Sequence, residues 1–237
     1  MRRLAFLCAL FLIVPSTPLP AQPTFRVSPS VGAGLTASPE AFDQFYSSSP
    51  QFGLGVEYVA SRNVGVHARL HYARLFLSRD GITNYFNKRV EPQLEELLIN
   101  GPAGSILGGS LSLELRTRLP RDLVFHGLIG IGLYQQSLYG VTVANTDAVE
   151  NGDLSSCGDG CLNIRSLSQT SPGLSIGARL STSIWSRFRP FLEAKYTIIF
   201  SERAAEQLYS EELEAISNDF VGTTGYFPLQ AGLSIGI

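Results

Sequence analysis

Eight stretches of this chain put apolar side chains on alternate positions and glycine, serine or charged side chains between them: roughly 24–36, 51–60, 63–77, 105–117, 122–135, 172–184, 189–200 and 226–237. A period of two belongs to a β-strand, whose successive side chains leave opposite faces of the pleat. The pattern is plainest in GLSIG, written once at residues 173–177 and again at 232–236. In the last stretch Phe227, Leu229, Ala231, Leu233, Ile235 and Ile237 share one parity, while Gln230, Gly232, Ser234 and Gly236 hold the other. Glycine weakens a strand unless a small residue is required there. Its confinement to one face therefore predicts a narrow, crowded interior on that side.

Most of these stretches reach ten residues, the length of a tilted membrane-spanning strand of ~9–11 residues. Their connections alternate. Tight ones lie at ASRN (60–63), RLPRD (118–122) and WSRFR (185–189), and long ones at 37–50, 78–104, 136–171 and 201–225. Compact soluble domains seldom carry several connections beyond ~15 residues, whereas transmembrane barrels pair short periplasmic turns with long outer loops. Charge divides the same way. Of the 20 acidic residues 16 lie in the long connections, while Arg62, Arg118, Arg121, Arg187 and Arg189 mark the tight turns.

In hydrocarbon an unpaired strand edge leaves backbone donors and acceptors unsatisfied, so spanning strands must close on themselves. The expected fold is all-β, an eight-stranded antiparallel up-and-down transmembrane β-barrel with long extracellular loops. Eight strands enclose only enough room for side chains. The apolar parity then faces lipid, and the polar parity forms a lumen network of Arg26, Glu57, His67, Arg69, Glu114, Arg116, His126, Arg179, Glu193 and Lys195. Turns centred on Ser186, Pro120 and Arg62 would oppose Arg179 to Glu193, Glu114 to His126, and Glu57 to His67. Aromatic belts would place Trp185, Phe188 and Phe125 at the turn end and Phe52, Phe76, Tyr134, Phe200 and Phe227 at the loop end. Within the loops, EPQLEELLIN (91–100) sets Leu94, Leu97 and Leu98 on a helical stripe, and residues 201–220 form a second helix with Ser201 as N-cap.

The first 21 residues read as a secretory signal peptide: two arginines, an apolar run from Leu4 to Val14, and a small-residue exit at Ala21. The run is too short for a membrane helix. Residues 22–237 then form one barrel domain. Without Arg2 and Arg3 the mature part keeps 16 of the 18 basic residues against 20 acidic ones. That negative balance disfavours nucleic acid. Cys157 and Cys161, in CGDGC, are expected to pair as a small disulfide loop in an oxidising compartment. Two thiols without neighbouring histidines do not fill a metal site, and no cofactor motif is present.

Together the leader-like start, eight alternating segments, long acidic loops and the strand GYFPLQAGLSIGI at 225–237 resemble the small bacterial outer-membrane β-barrel proteins, similar to OmpA-like transmembrane domains and the OmpX-like family. The resemblance covers residues 22–237. It implies insertion by the outer-membrane assembly machinery, contact with outer-membrane lipids and lipopolysaccharide, and a structural or surface-interaction role with a ligand met through the loops. The family's last strand commonly ends on an aromatic residue, and this one ends on Ile237. Three competing readings remain: an outer-rim lipid-modifying enzyme such as a lipid A deacylase, with His71 as base to Ser78 or Ser201; a small-solute porin; and a soluble exported ligand-binding barrel.

Overall fold

The computed structural model describes residues 24–38, 40–88, 97–100, 104–138, 141–145, 161–164, 166–182, 187–201 and 223–237. The leader-like stretch, Trp185, Cys157, Leu94 and the proposed helix after Ser201 lie outside the described residues. Eight long strands carry the fold: β1 (Thr24–Ser38), β3 (Ser49–Val59), β4 (Val64–Leu77), β6 (Gly104–Leu119), β7 (Leu123–Leu138), β10 (Leu167–Thr182), β11 (Phe188–Ile199) and β12 (Thr224–Gly236). Each pairs antiparallel with the next in sequence, and β12 pairs back onto β1, so the sheet closes into an up-and-down barrel. A two-residue strand, β2 (Tyr46–Ser47), extends the pairing at the outer end of β4.

The turns explain the register. At the β3–β4 turn the Ser61 hydroxyl accepts the N–H groups of Asn63 (3.4 Å) and Val64 (3.1 Å), a side-chain turn that needs no positive φ. Glu57 then stands opposite His67, and Arg179 opposite Glu193, as the turn centres predict. The β6–β7 hairpin differs. Arg121 and Asp122 take left-handed φ of 62° and 56°, Leu119 pairs with Leu123, and His126 stands opposite Arg116 instead of Glu114. Centring the turn on Arg121 slides the register by two positions, and an even slide preserves the faces.

The faces are inverted relative to a water-soluble sandwich. Val31, Leu54, Leu70, Leu111, Ile131, Ile176, Leu192 and Leu229, one from each barrel strand, are between 51% and 63% exposed. Inside, His67 and Glu114 are 0% exposed, Arg179 1%, and Glu57 and Glu193 2% each. The inward glycines make room for large neighbours. A Cβ at Gly132 or Gly173 would come within 2.9 Å and 2.7 Å of the Tyr134 ring, and one at Gly108 within 2.6 Å. Tyr134 is thus an interior wedge across three strands and not part of the outer aromatic belt. The other loop-end aromatics, Phe52, Phe76, Phe200 and Phe227, are exposed, as are Phe125 and Phe188 at the turn end.

Above the loop end lie two helices, Glu40–Phe45 and Arg79–Asn87, and a separate three-stranded sheet of β5 (Leu97–Asn100), β8 (Val141–Asn145) and β9 (Cys161–Ile164). Leu97 and Leu98 therefore belong to a strand, where the sequence stripe had placed a helix. Backbone pairing of β5 with β8 supplies cross-strand hydrogen bonds that a stripe of three leucines cannot outweigh. The disulfide expectation is also corrected. No disulfide is formed among the described residues, and Cys161 opens β9 with its backbone set opposite Ala144.

Candidate functional site

The interior is built from the inward parity of every barrel strand, and its polar groups join into one network. Glu193 of β11 is held by Arg69 of β4, by Arg179 of β10 at 2.7 and 2.8 Å, and by Lys195 at 3.6 Å. Arg179 also donates to Glu57 of β3 at 3.3 Å and to Nδ1 of His67 at 3.1 Å. Glu57 pairs in turn with Arg116 of β6, whose Nε donates to Glu114 at 2.8 Å. Glu114 contacts Nδ1 of His126 on β7, diagonally across the shifted hairpin, and His126 Nε2 meets the Ser181 hydroxyl at 2.7 Å. On the far side Arg69 donates to Gln230 of β12, which accepts from the Ser30 hydroxyl of β1 at 3.2 Å. A single run of ion pairs and hydrogen bonds thus touches all eight strands.

Of the ten lumen residues expected from sequence, the structure joins nine: Glu57, His67, Arg69, Glu114, Arg116, His126, Arg179, Glu193 and Lys195. Arg26 faces inward but makes no ion pair among the described residues. Ser30, Ser181, Gln230 and Phe191 belong to the same core and were not singled out. The first three sit on the polar parity and were legible there. Phe191 breaks the alternation, with its ring buried under the Arg179 guanidinium at 4.5 Å and near that of Arg69 at 5.9 Å. A buried aromatic face attracts a guanidinium, so the apolar residue belongs to the charged layer.

Towards the loop end the interior changes character. Ala73, Leu75, Ile106 and Ile199 are fully buried on the inward parity, with Tyr226 beside them donating from its hydroxyl to Gln51 at 3.0 Å. The two helices close over this layer. Phe45 and Tyr85 meet edge to face at 5.2 Å, Ile82 is fully buried, and the Phe45 carbonyl accepts the Ser78 N–H at 2.8 Å. The lumen is therefore charged in its middle, and under its outer cap it mixes apolar with uncharged polar groups: buried Gln51, Gln136 and Thr224 stand opposite Ala73, Ile106 and Ile199.

The histidine-serine pairs weighed for catalysis do not assemble. His71 packs its ring against Tyr134 at 5.4 Å, and its Nε2 has no hydrogen-bond partner among the described residues. The Ser78 hydroxyl instead accepts the Gly81 N–H at 3.1 Å and caps the Arg79–Asn87 helix. Among the described residues no cluster of three His, Cys, Asp or Glu side chains could hold a metal ion.

No protein-family profile and no curated protein matches the sequence. Solved structures do. A major outer membrane protein of Thermus thermophilus aligns with a TM-score of 0.50 at 14% identity, covering 90% of this chain and 99% of that one. Neisserial surface protein A aligns at 0.47 and 11% identity (89% and 96% covered), and Ail, the attachment invasion locus protein of Yersinia pestis, at 0.39 and 14% (90% and 97% covered). At such identities the likeness is one of fold. A closed sheet, an outward apolar girdle and a side-chain-filled polar lumen make this chain an eight-stranded membrane-embedded β-barrel with the fold of small bacterial outer-membrane proteins.

Proposed function

We propose that the protein is a rigid, non-conducting scaffold of the bacterial outer membrane, which holds its cap and acidic loops on the outer surface for structure and surface contact. The observation that carries this reading is the network of buried charges that ties all eight strands together and fills the middle of the lumen. Buried ion pairs seldom add net stability over apolar packing, but removing one partner is costly, about 3–5 kcal/mol. Such a core fixes one arrangement of strands. The tight turns face the periplasm and the long connections face outward. Residues 1–21 serve as the export leader, and the alternating last strand is presented to the assembly machinery. Lipids and lipopolysaccharide cover the outward girdle, and a surface ligand would meet the loops.

Reconstitution of the purified protein into planar bilayers tests the scaffold against the porin reading. The scaffold predicts no steady conductance at low voltage. A stable ohmic current per inserted molecule would contradict it.

A further inference from the structure

Positive charge is left unbalanced at the turn end of the lumen. Arg26 is 8% exposed and stands in register with Glu57 across β1 and β3. Glu57 makes its direct ion pairs with Arg116 on one oxygen and Arg179 on the other, and Arg26 is not in ion-pair contact with it. Arg189, half-buried on β11, lies within electrostatic range of three cations, Arg26, Arg116 and Arg118, and of one carboxylate, Glu57. Neither Arg26 nor Arg189 has an ion pair among the described residues, and the Nε of each is buried without a hydrogen-bond partner. Two hydroxyls share that condition, those of Ser28 and Ser234, at 0% and 4% exposure.

The strand register brings these four groups together. Ser234 stands opposite Arg189 across β11 and β12. Between β12 and β1, Gly236 pairs with Arg26 and Ile235 with Val27, which sets Ser234 beside Ser28. All four occupy the inward parity of three adjacent strands. Gly236, opposite Arg26, adds no bulk there: among the described residues a Cβ at Gly236 would meet only the Arg187 backbone, at 3.8 Å or more.

Two guanidiniums without a direct ion pair and two hydroxyls without a hydrogen-bond partner among the described residues form a donor-rich pocket. Planar guanidiniums match phosphate oxygens two at a time, and a tetrahedral oxyanion has enough oxygens to take both arginines and both serines. A carboxylate presents its lone pairs in one plane, whereas a tetrahedral phosphate presents oxygens in several directions. We propose that Arg26, Ser28, Arg189 and Ser234 form a binding site for a phosphate group at the turn-end rim of the barrel. The phosphate belongs either to a soluble anion entering from the aqueous side or to a lipid headgroup of the adjoining leaflet. This goes beyond the scaffold role and does not depend on it.

The test uses the full chain labelled with 15N-arginine in uncharged detergent micelles, titrated with inorganic phosphate against chloride at equal ionic strength. The proposal predicts saturable shifts of two side-chain Nε resonances, assigned by Arg26→Gln and Arg189→Gln. Arg189→Gln should raise the half-saturating concentration by about tenfold or more, and Ser234→Ala should raise it by less. Cold-gel mobility reports that each variant is folded. If Arg26→Gln fails to fold, the other two carry the test. Shifts no larger than in chloride, or an unchanged half-saturation in Arg189→Gln, would overturn the site. Nanodiscs of an uncharged, phosphate-free glycolipid in phosphate-free buffer, with and without phosphatidic acid, separate the sources: shifts with phosphatidic acid assign a headgroup, and shifts with inorganic phosphate alone assign a soluble anion.

Discussion

Glu193 accepts from three cations on three strands, Arg69, Arg179 and Lys195, in a setting almost without solvent. Glu193→Gln keeps the shape but removes the charge that those cations face. It should destabilise the folded barrel by about 3–5 kcal/mol, measured as a shift in the urea unfolding midpoint in micelles. A change within ~0.5 kcal/mol, typical of a surface substitution, would mean the network does not couple the strands. Part of this core was readable residue by residue, because charges confined to the small-residue parity of a closed sheet have nowhere to point but inward. Phe191 and Tyr134 were not readable in that way. Both are aromatics on the inward parity, and only the neighbours they meet, Arg179 for one and three glycines for the other, explain them.

Within a single strand the two faces should respond oppositely to substitution. Ile176 is 62% exposed on the girdle, while Ser175 beside it is buried on the lumen side. Ile176→Arg places a charge in hydrocarbon at about 2–4 kcal/mol and should sharply reduce the folded fraction recovered from lipid vesicles, whereas Ser175→Ala should leave that fraction nearly unchanged. Equal yields would mean that the faces are assigned the wrong way round. Strand positions followed from alternation to within a few residues, since a half-buried pleat repeats its chemistry every second residue. Hairpin register needed the turn backbone as well. Leu-Pro-Arg-Asp reads as a turn centred on its proline, but left-handed Arg121 and Asp122 move the centre onward. The β5–β8–β9 sheet was hidden from sequence for a related reason: its strands are four or five residues long and pair across long separations, so local propensity says little about them.

The whole barrel is a closed ring because β12 returns to β1 along most of its length. Closure, the girdle and the filled lumen make one physical claim: this surface is soluble in lipid, and its interior is packed with side chains. Closure could be anticipated because lipid offers the backbone no hydrogen bonds, and the eight-strand count and inverted faces because eight stretches alternate and their apolar parity must meet lipid. The outer cap could not, since the Glu40–Phe45 and Arg79–Asn87 helices are short and gain their stability from Phe45, Ile82 and Tyr85 packing over the barrel mouth. The most direct measurement is to express the full chain in a Gram-negative host, isolate the outer-membrane fraction, and compare its gel mobility before and after boiling. The account predicts recovery in that fraction, with a compact unboiled form whose mobility changes on boiling. Recovery as a soluble periplasmic protein with identical mobility in both lanes would contradict it.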